Sequence, residues 1–184
     1  MTFPFVEFGI LLFVIVVFGS AAYASMKAAP WVPVHAKDIS RILAHMELSK
    51  RELVYDLGSG DGRILIAVGQ NSHCRAVGFE VSMIPYVVSR IRILLAGVRR
   101  RAEVLFSNFL TYPLRDADVV FCFLTPMAMK KLAVKFANEL KPGTRVLSYA
   151  FSIPGWTPTL TDKPDQKSVP LFVYDVPLDA KKPA

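Results

Sequence analysis

Two cysteines and three histidines are all that 184 residues offer for disulfide or metal chemistry. Cys74 and Cys122 lack C-x-x-C spacing and sit in apolar runs, which reads as buried, reduced thiols. His35, His45 and His73 are isolated, so no metal site is expected. Acidic residues are short as well: 15 against 22 Lys and Arg, a net charge of +7. The basic side chains are scattered (Arg99, Arg100, Arg101; Lys130, Lys131; Lys181, Lys182) with no interleaved aromatics. That makes a nucleic-acid partner unlikely and leaves a solvated surface or attraction to anionic lipid. There is no internal repeat and no low-complexity tract. The length allows one α/β domain with a proper core and little else.

Charge is missing altogether from residues 8–26, nineteen positions rich in Ile, Val, Leu and Phe. As a helix they would span roughly 28 Å, close to the ~30 Å of a bilayer's hydrocarbon. Tyr23 and Trp31 lie near the far end, where amphipathic rings favour the headgroups. The expectation is one N-terminal transmembrane helix that contacts the lipid bilayer. A cleaved signal peptide ending at Ala22-Tyr23-Ala24 competes, but no Lys or Arg precedes the run. Lys27, Lys37 and Arg41 follow it, which places the remaining chain on the cytoplasmic side of a single-pass membrane protein.

What glycine there is concentrates at one place. Val54-Tyr55-Asp56-Leu57-Gly58-Ser59-Gly60-Asp61-Gly62-Arg63 reads as a buried strand, a glycine turn and the start of a helix near Asp61. Such a turn lets a ligand approach the backbone, and the helix behind it offers free amides to an anion. Glu80 ends the next apolar run, where a carboxylate can grip ribose hydroxyls. The spacing is G-x-G-x-G with Asp56 two positions before, and a dinucleotide fingerprint would be G-x-G-x-x-G. The pattern resembles motif I of S-adenosylmethionine (SAM)-dependent methyltransferases; NAD(P) and a ligand-free turn are the alternatives.

The rest alternates. A helix is expected over 35–47 and strands over 53–57, 75–80, 102–106, 118–124 and 144–151. Helices are expected after the glycine turn, over 83–95 and from Pro126 to Leu140. Residues 156–161 and 169–177 read as a final antiparallel pair. The fold class is therefore α/β: a Rossmann-like, doubly wound methyltransferase sheet with a C-terminal antiparallel hairpin. Residues 1–28 form the anchor, 29–50 a connecting segment and helix, 51–178 the methyltransferase domain and 179–184 a tail.

With these residues together, the chain resembles a family of membrane-anchored protein lysine methyltransferases. Its members include the mitochondrial enzymes that modify ATP synthase and the adenine nucleotide translocase. The resemblance rests on the N-terminal apolar helix, Pro30-Trp31-Val32-Pro33, the Asp56 to Arg63 motif and Gly78-Phe79-Glu80. It extends through Phe123-Leu124-Thr125-Pro126 and Pro154-Gly155-Trp156. It implies SAM as cofactor, held by Asp56, Gly58, Ser59, Gly60, Gly62, Glu80 and Asn108, and a membrane protein as substrate. Asn108 stands where that family often has an acidic residue. Its carbonyl could still accept from the adenine amino group. No D/N-P-P-[YF] motif is present, which argues against methylation of DNA bases.

A lysine acceptor must be neutral, and deprotonating it at pH 7 costs about 4–5 kcal/mol. An apolar channel would help, and Trp31, Phe109, Tyr112, Thr125 and Tyr149 are the candidates to line it. No general base is assigned. Two other functions stay open: methylation of a lipid or quinone-like small molecule, and a catalytically silent SAM-binding adaptor.

Overall fold

The computed structural model describes residues 4–27, 32–49 and 51–177. Seven strands form one sheet in the order β3-β2-β1-β4-β5-β7-β6. β1 (Leu53–Leu57), β2 (Arg75–Glu80), β3 (Ala102–Phe106), β4 (Val119–Cys122) and β5 (Arg145–Tyr149) are mutually parallel. β7 (Leu171–Asp175) runs antiparallel between β5 and β6 (Leu160–Asp162). The central strands are continuous Val, Leu, Phe and Cys runs because helices cover both faces of the sheet.

One face packs Ile42 and Met46 of α2 (Ile39–Met46), Leu65 and Val68 of α3 (Arg63–Asn71) and Ile93 of α4 (Met83–Leu95). The other packs Met129, Leu132 and Phe136 of α5 (Pro126–Glu139) against Tyr55, Val120 and Val146. Thr125 caps α5, its hydroxyl accepting from the Ala128 N–H at 3.4 Å, and Pro126 opens the helix where its missing N–H costs nothing. Cys74 and Cys122 are buried and free.

The winding of the sheet reverses between β1 and β4, which opens a crevice at their C-terminal ends. The elements that differ from expectation do so locally. The expected 35–47 helix divides into a 3₁₀ turn, Ala36–Asp38, and α2. The strand expected from 156 begins at Leu160, because the Trp156 ring is drawn between Phe136 and Tyr174, with centroids 6.2 Å from each.

α1 (Pro4–Lys27) is one helix and touches α4. The expectation that it crosses a membrane is not supported: among the described residues, no helix is long and apolar enough to do so. Its described side chains run from Phe5 to Ile15 plus Gly19, a stretch of roughly 16 Å, about half of the hydrocarbon thickness. The large apolar side chains along that stretch all face outward. Pro30 and Trp31 lie outside the described residues.

Candidate functional site

The cleft at the β1/β4 crevice is lined by Asp56 from β1, by Gly58, Ser59 and Gly60 from the glycine turn and by Glu80 from the end of β2. Phe109, Phe121, Phe123 and Leu124 form its apolar wall, and Val32 and Val34 close it from the N-terminal side. Gly58 and Gly60 have φ of +78° and +54°, a conformation other residues rarely adopt. A Cβ on Gly58 would also come within 2.9 Å of the Leu124 side chain, so glycine is what lets the turn lie against the end of β4.

Glu80 fastens the turn. One carboxylate oxygen accepts from Gly60 N–H at 3.0 Å; the other accepts from Val81 and Ser82 N–H at 2.8 and 2.7 Å. Burial pushes its pKa up, and those backbone bonds only partly counter the shift. A carboxylate has about four lone-pair positions, so one remains for a ligand hydroxyl. Asp56 is fully buried. Desolvation, then the charges of Glu80 and Asp61, push its pKa well above the ordinary carboxylate range. The Ser59 hydroxyl is buried without a partner. A cleft with two disfavoured carboxylates and an orphaned hydroxyl suits a ligand that brings positive charge and hydrogen-bonding groups.

Asp61 and Arg63, which in sequence could pass for a cap and a surface residue, belong to this site. Arg63 pairs with Asp61 at 2.7 Å and donates to the carbonyl of Val34; Arg92 of α4 also pairs with Asp61. Burial pushes Asp61 up, but the hydrogen bond and charge of Arg63 and the charge of Arg92 outweigh it and hold its carboxyl below the usual range. Arg63 thus ties the glycine turn to the N-terminal wall.

Several expected residues stand elsewhere. Gly62, at φ +75°, is the N-cap of α3 and packs against Ser89 of α4, not in the cleft. Asn108 is engaged locally: its side-chain oxygen accepts from Leu110 N–H at 2.9 Å in a turn, and it is absent from the cleft lining. Of the channel candidates among the described residues, only Phe109 lines the cleft. Tyr112 lies behind Phe79, ring centroids 4.6 Å apart. Tyr149 lies behind Phe123, 4.9 Å apart, with its hydroxyl donating to Asp38 at 2.6 Å. Thr125 is occupied in capping α5. Trp31 is outside the described residues. Phe121, read in sequence only as strand core, and Phe123, read there as strand end and part of a family motif, turn out to be cleft wall.

A family model described as the ANTKMT methyltransferase domain matches residues 56–160. A protein-lysine N-methyltransferase of Saccharolobus islandicus (strain REY15A) is 38% identical, the match covering 79% of this chain and 91% of that one. The adenine nucleotide translocase lysine N-methyltransferase of Mus musculus is 33% identical over 70% of this chain, which spans only 56% of that enzyme's length. Among solved structures, an RNA methyltransferase from Salinibacter ruber in complex with S-adenosyl-L-homocysteine superposes with a TM-score of 0.75. It is 29% identical, and the match covers 79% of this chain and 94% of that one.

Proposed function

The chain belongs to the ANTKMT methyltransferase family of SAM-dependent enzymes, and on that premise we propose that it methylates the side-chain amine of lysine on a membrane protein. The observation that carries the lysine reading is the match along nearly the whole length of a protein-lysine N-methyltransferase. SAM, when bound, would supply an activated methyl group: a neutral amine would form the new N–C bond as the sulfonium S–C bond breaks, S-adenosylhomocysteine leaving and the amine becoming a methylammonium.

The protein's own residues do the rest. Asp56, Ser59 and Glu80 would hold the polar parts of the cofactor: Asp56 its positively charged amino-acid end, Ser59 through the hydroxyl that lacks a partner, and Glu80 a ribose hydroxyl through its spare lone pair. Gly58 and Gly60 admit it to the backbone. Phe109, Phe121 and Phe123 exclude water, and a dry wall favours the neutral form of an approaching ammonium group. Orientation of donor and acceptor is then the main catalytic contribution.

Membrane attachment is the second part of the proposal. α1 carries no charge from Phe8 to Met26, and the apolar side chains described along it are outward-facing. This supports its serving as an anchor that holds the cleft near its substrate, with the domain on the cytoplasmic side.

The test is to incubate membranes with isotope-labelled SAM, with and without the full chain, and to locate label by mass spectrometry. Label on lysine of a membrane protein is the expected result. Label confined to lipid extract, or to RNA when RNA is supplied, would reject the lysine acceptor, and no label anywhere would reject catalysis.

A further inference from the structure

The outward face of α4 is apolar where a surface helix should be polar. Pro85, Ser89 and Ile93 face the sheet. At about 100° per residue, Ile84, Val87, Ile91, Leu94 and Leu95 fall together on the opposite side, and they are between 44% and 79% exposed. No charged residue interrupts this stripe; Arg90 borders it on one side and Arg92, paired with Asp61, on the other. A contiguous patch of this kind marks an interaction surface.

Two neighbours indicate what covers it. α1, whose described side chains are likewise apolar and exposed, touches α4. The stripe stays exposed with α1 alongside, so α1 is not its cover. Beside the stripe, a groove between α4 and the edge strand β3 is lined by Ile91, Leu94 and Phe106, with Arg90, Arg99 and Glu103 also on its wall; Glu103 is paired with Arg75, so the net charge there stays positive. An apolar floor bordered by arginines complements acyl chains lying beneath anionic headgroups. A second copy of this chain on the same face would instead bring like-charged arginines together.

We infer that α4 lies in the interfacial layer of an anionic bilayer, with its apolar stripe at the acyl boundary and Arg90 and Arg99 at the phosphates. This rests on the proposal that the protein works at a membrane. α4 starts three residues after Glu80, so docking it would set the height of the cleft above the lipid. The enzyme would then have two attachments, α1 and α4, and the second would orient the domain.

The test uses the full chain with single nitroxide labels at I91C, L11C on α1 and V134C on α5, which covers the other face of the sheet. Native Cys74 and Cys122 are buried and stay unlabelled. Accessibility to oxygen and to a nickel chelate is read in vesicles of phosphatidylcholine alone and mixed with phosphatidylglycerol. Residue 91 is expected to be oxygen-accessible and nickel-shielded in the mixed vesicles, with 134 aqueous. R90Q and R99Q should each weaken the phosphatidylglycerol-dependent docking at residue 91 by roughly five-fold. A lipid-buried label at 11 with an aqueous one at 91 overturns the inference and leaves the anchor standing. The reverse pattern supports the inference and overturns the anchor. Aqueous labels at both positions overturn both, and spin–spin broadening between copies at residue 91, with the label shielded from lipid, assigns the stripe to a dimer and overturns the inference.

Discussion

The guanidinium of Arg63 donates to the main-chain carbonyl of Val34, a residue 29 positions earlier in the chain. Its other edge is held by Asp61, so one side chain couples the glycine turn to the segment that leads in from α1. Val34 is buried and lines the cleft. The wall it forms is therefore fixed from the cofactor side.

Removing that link should loosen the wall without emptying the core. R63Q is expected to lower stability by about 1.5–3 kcal/mol, the usual range for hydrogen bonds to charged groups. SAM affinity should fall with it, because Asp61 then retains only Arg92 and the backbone N–H of residue 63, and the Val32 to Val34 segment loses its tether. Urea melts and calorimetric SAM titrations check this. Full stability together with full affinity would show that the contact holds nothing in place.

Tyr149 separates a core residue from a channel residue. Its hydroxyl is buried against Asp38 and its ring lies behind Phe123, and burial, then the bond to Asp38, push its pKa up. Y149F should cost about 1–3 kcal/mol by leaving a buried acceptor with one partner fewer, while kcat and the lysine KM stay within two-fold or so of wild type, the shape of the ring being kept. A large loss of kcat with unchanged stability would return Tyr149 to the acceptor channel.

Much of this architecture is legible in the chain, and where it is not the cause is physical. β1, β2 and β3 begin and end where read, because each is an apolar run bounded by charge, glycine or turn residues. Asp56, Gly58, Gly60 and Glu80 come together because a βαβ unit fixes where two consecutive strands end. Side-chain direction is a different matter. Asn108 follows β3 as expected, but a short polar side chain after a strand can satisfy a nearby amide, and it does so at Leu110. Phe121 and Phe123 look like any buried strand residues until the crevice between β1 and β4 is in place. The links from Arg63 to Val34 and from Tyr149 to Asp38 join distant segments, and no local periodicity encodes them.

Gly78 tests the packing beneath the glycine turn. A Cβ there would lie 2.6 Å from both the Leu65 and Ser59 side chains. G78A should destabilise by about 1–3 kcal/mol through overpacking, and it should weaken SAM binding by displacing Ser59. Adding S59G to G78A removes one of the two clashes and should recover part of the stability but not the affinity. Thermal melts of the two variants decide it, and no recovery in the double variant would place the whole strain on Leu65.

Asp56 ties stability to pH and to cofactor charge. Its pKa is raised in the folded protein, by burial first and then by Glu80 and Asp61. A group with a raised folded pKa contributes its stability in full below the unfolded value, about 3.9, and loses it as pH rises through the folded value. Above the unfolded value the buried Asp56 therefore costs the cofactor-free protein stability, and at pH 7.5 D56N should raise Tm by roughly 2–4 °C for each kcal/mol relieved. The gain should close as pH falls toward about 4, where the wild-type carboxyl is protonated as well. Binding should move the other way. SAM and S-adenosylhomocysteine share the ammonium of the amino-acid end, so D56N should lose affinity for both, and wild-type affinity for both should tighten as pH rises through the raised pKa. Melting curves from about pH 4 to 8, paired with titrations of both ligands, carry the test. A lower Tm for D56N at neutral pH, or unchanged affinity for both ligands, would mean that Asp56 is a satisfied structural carboxylate and not the group that meets the cofactor's charge.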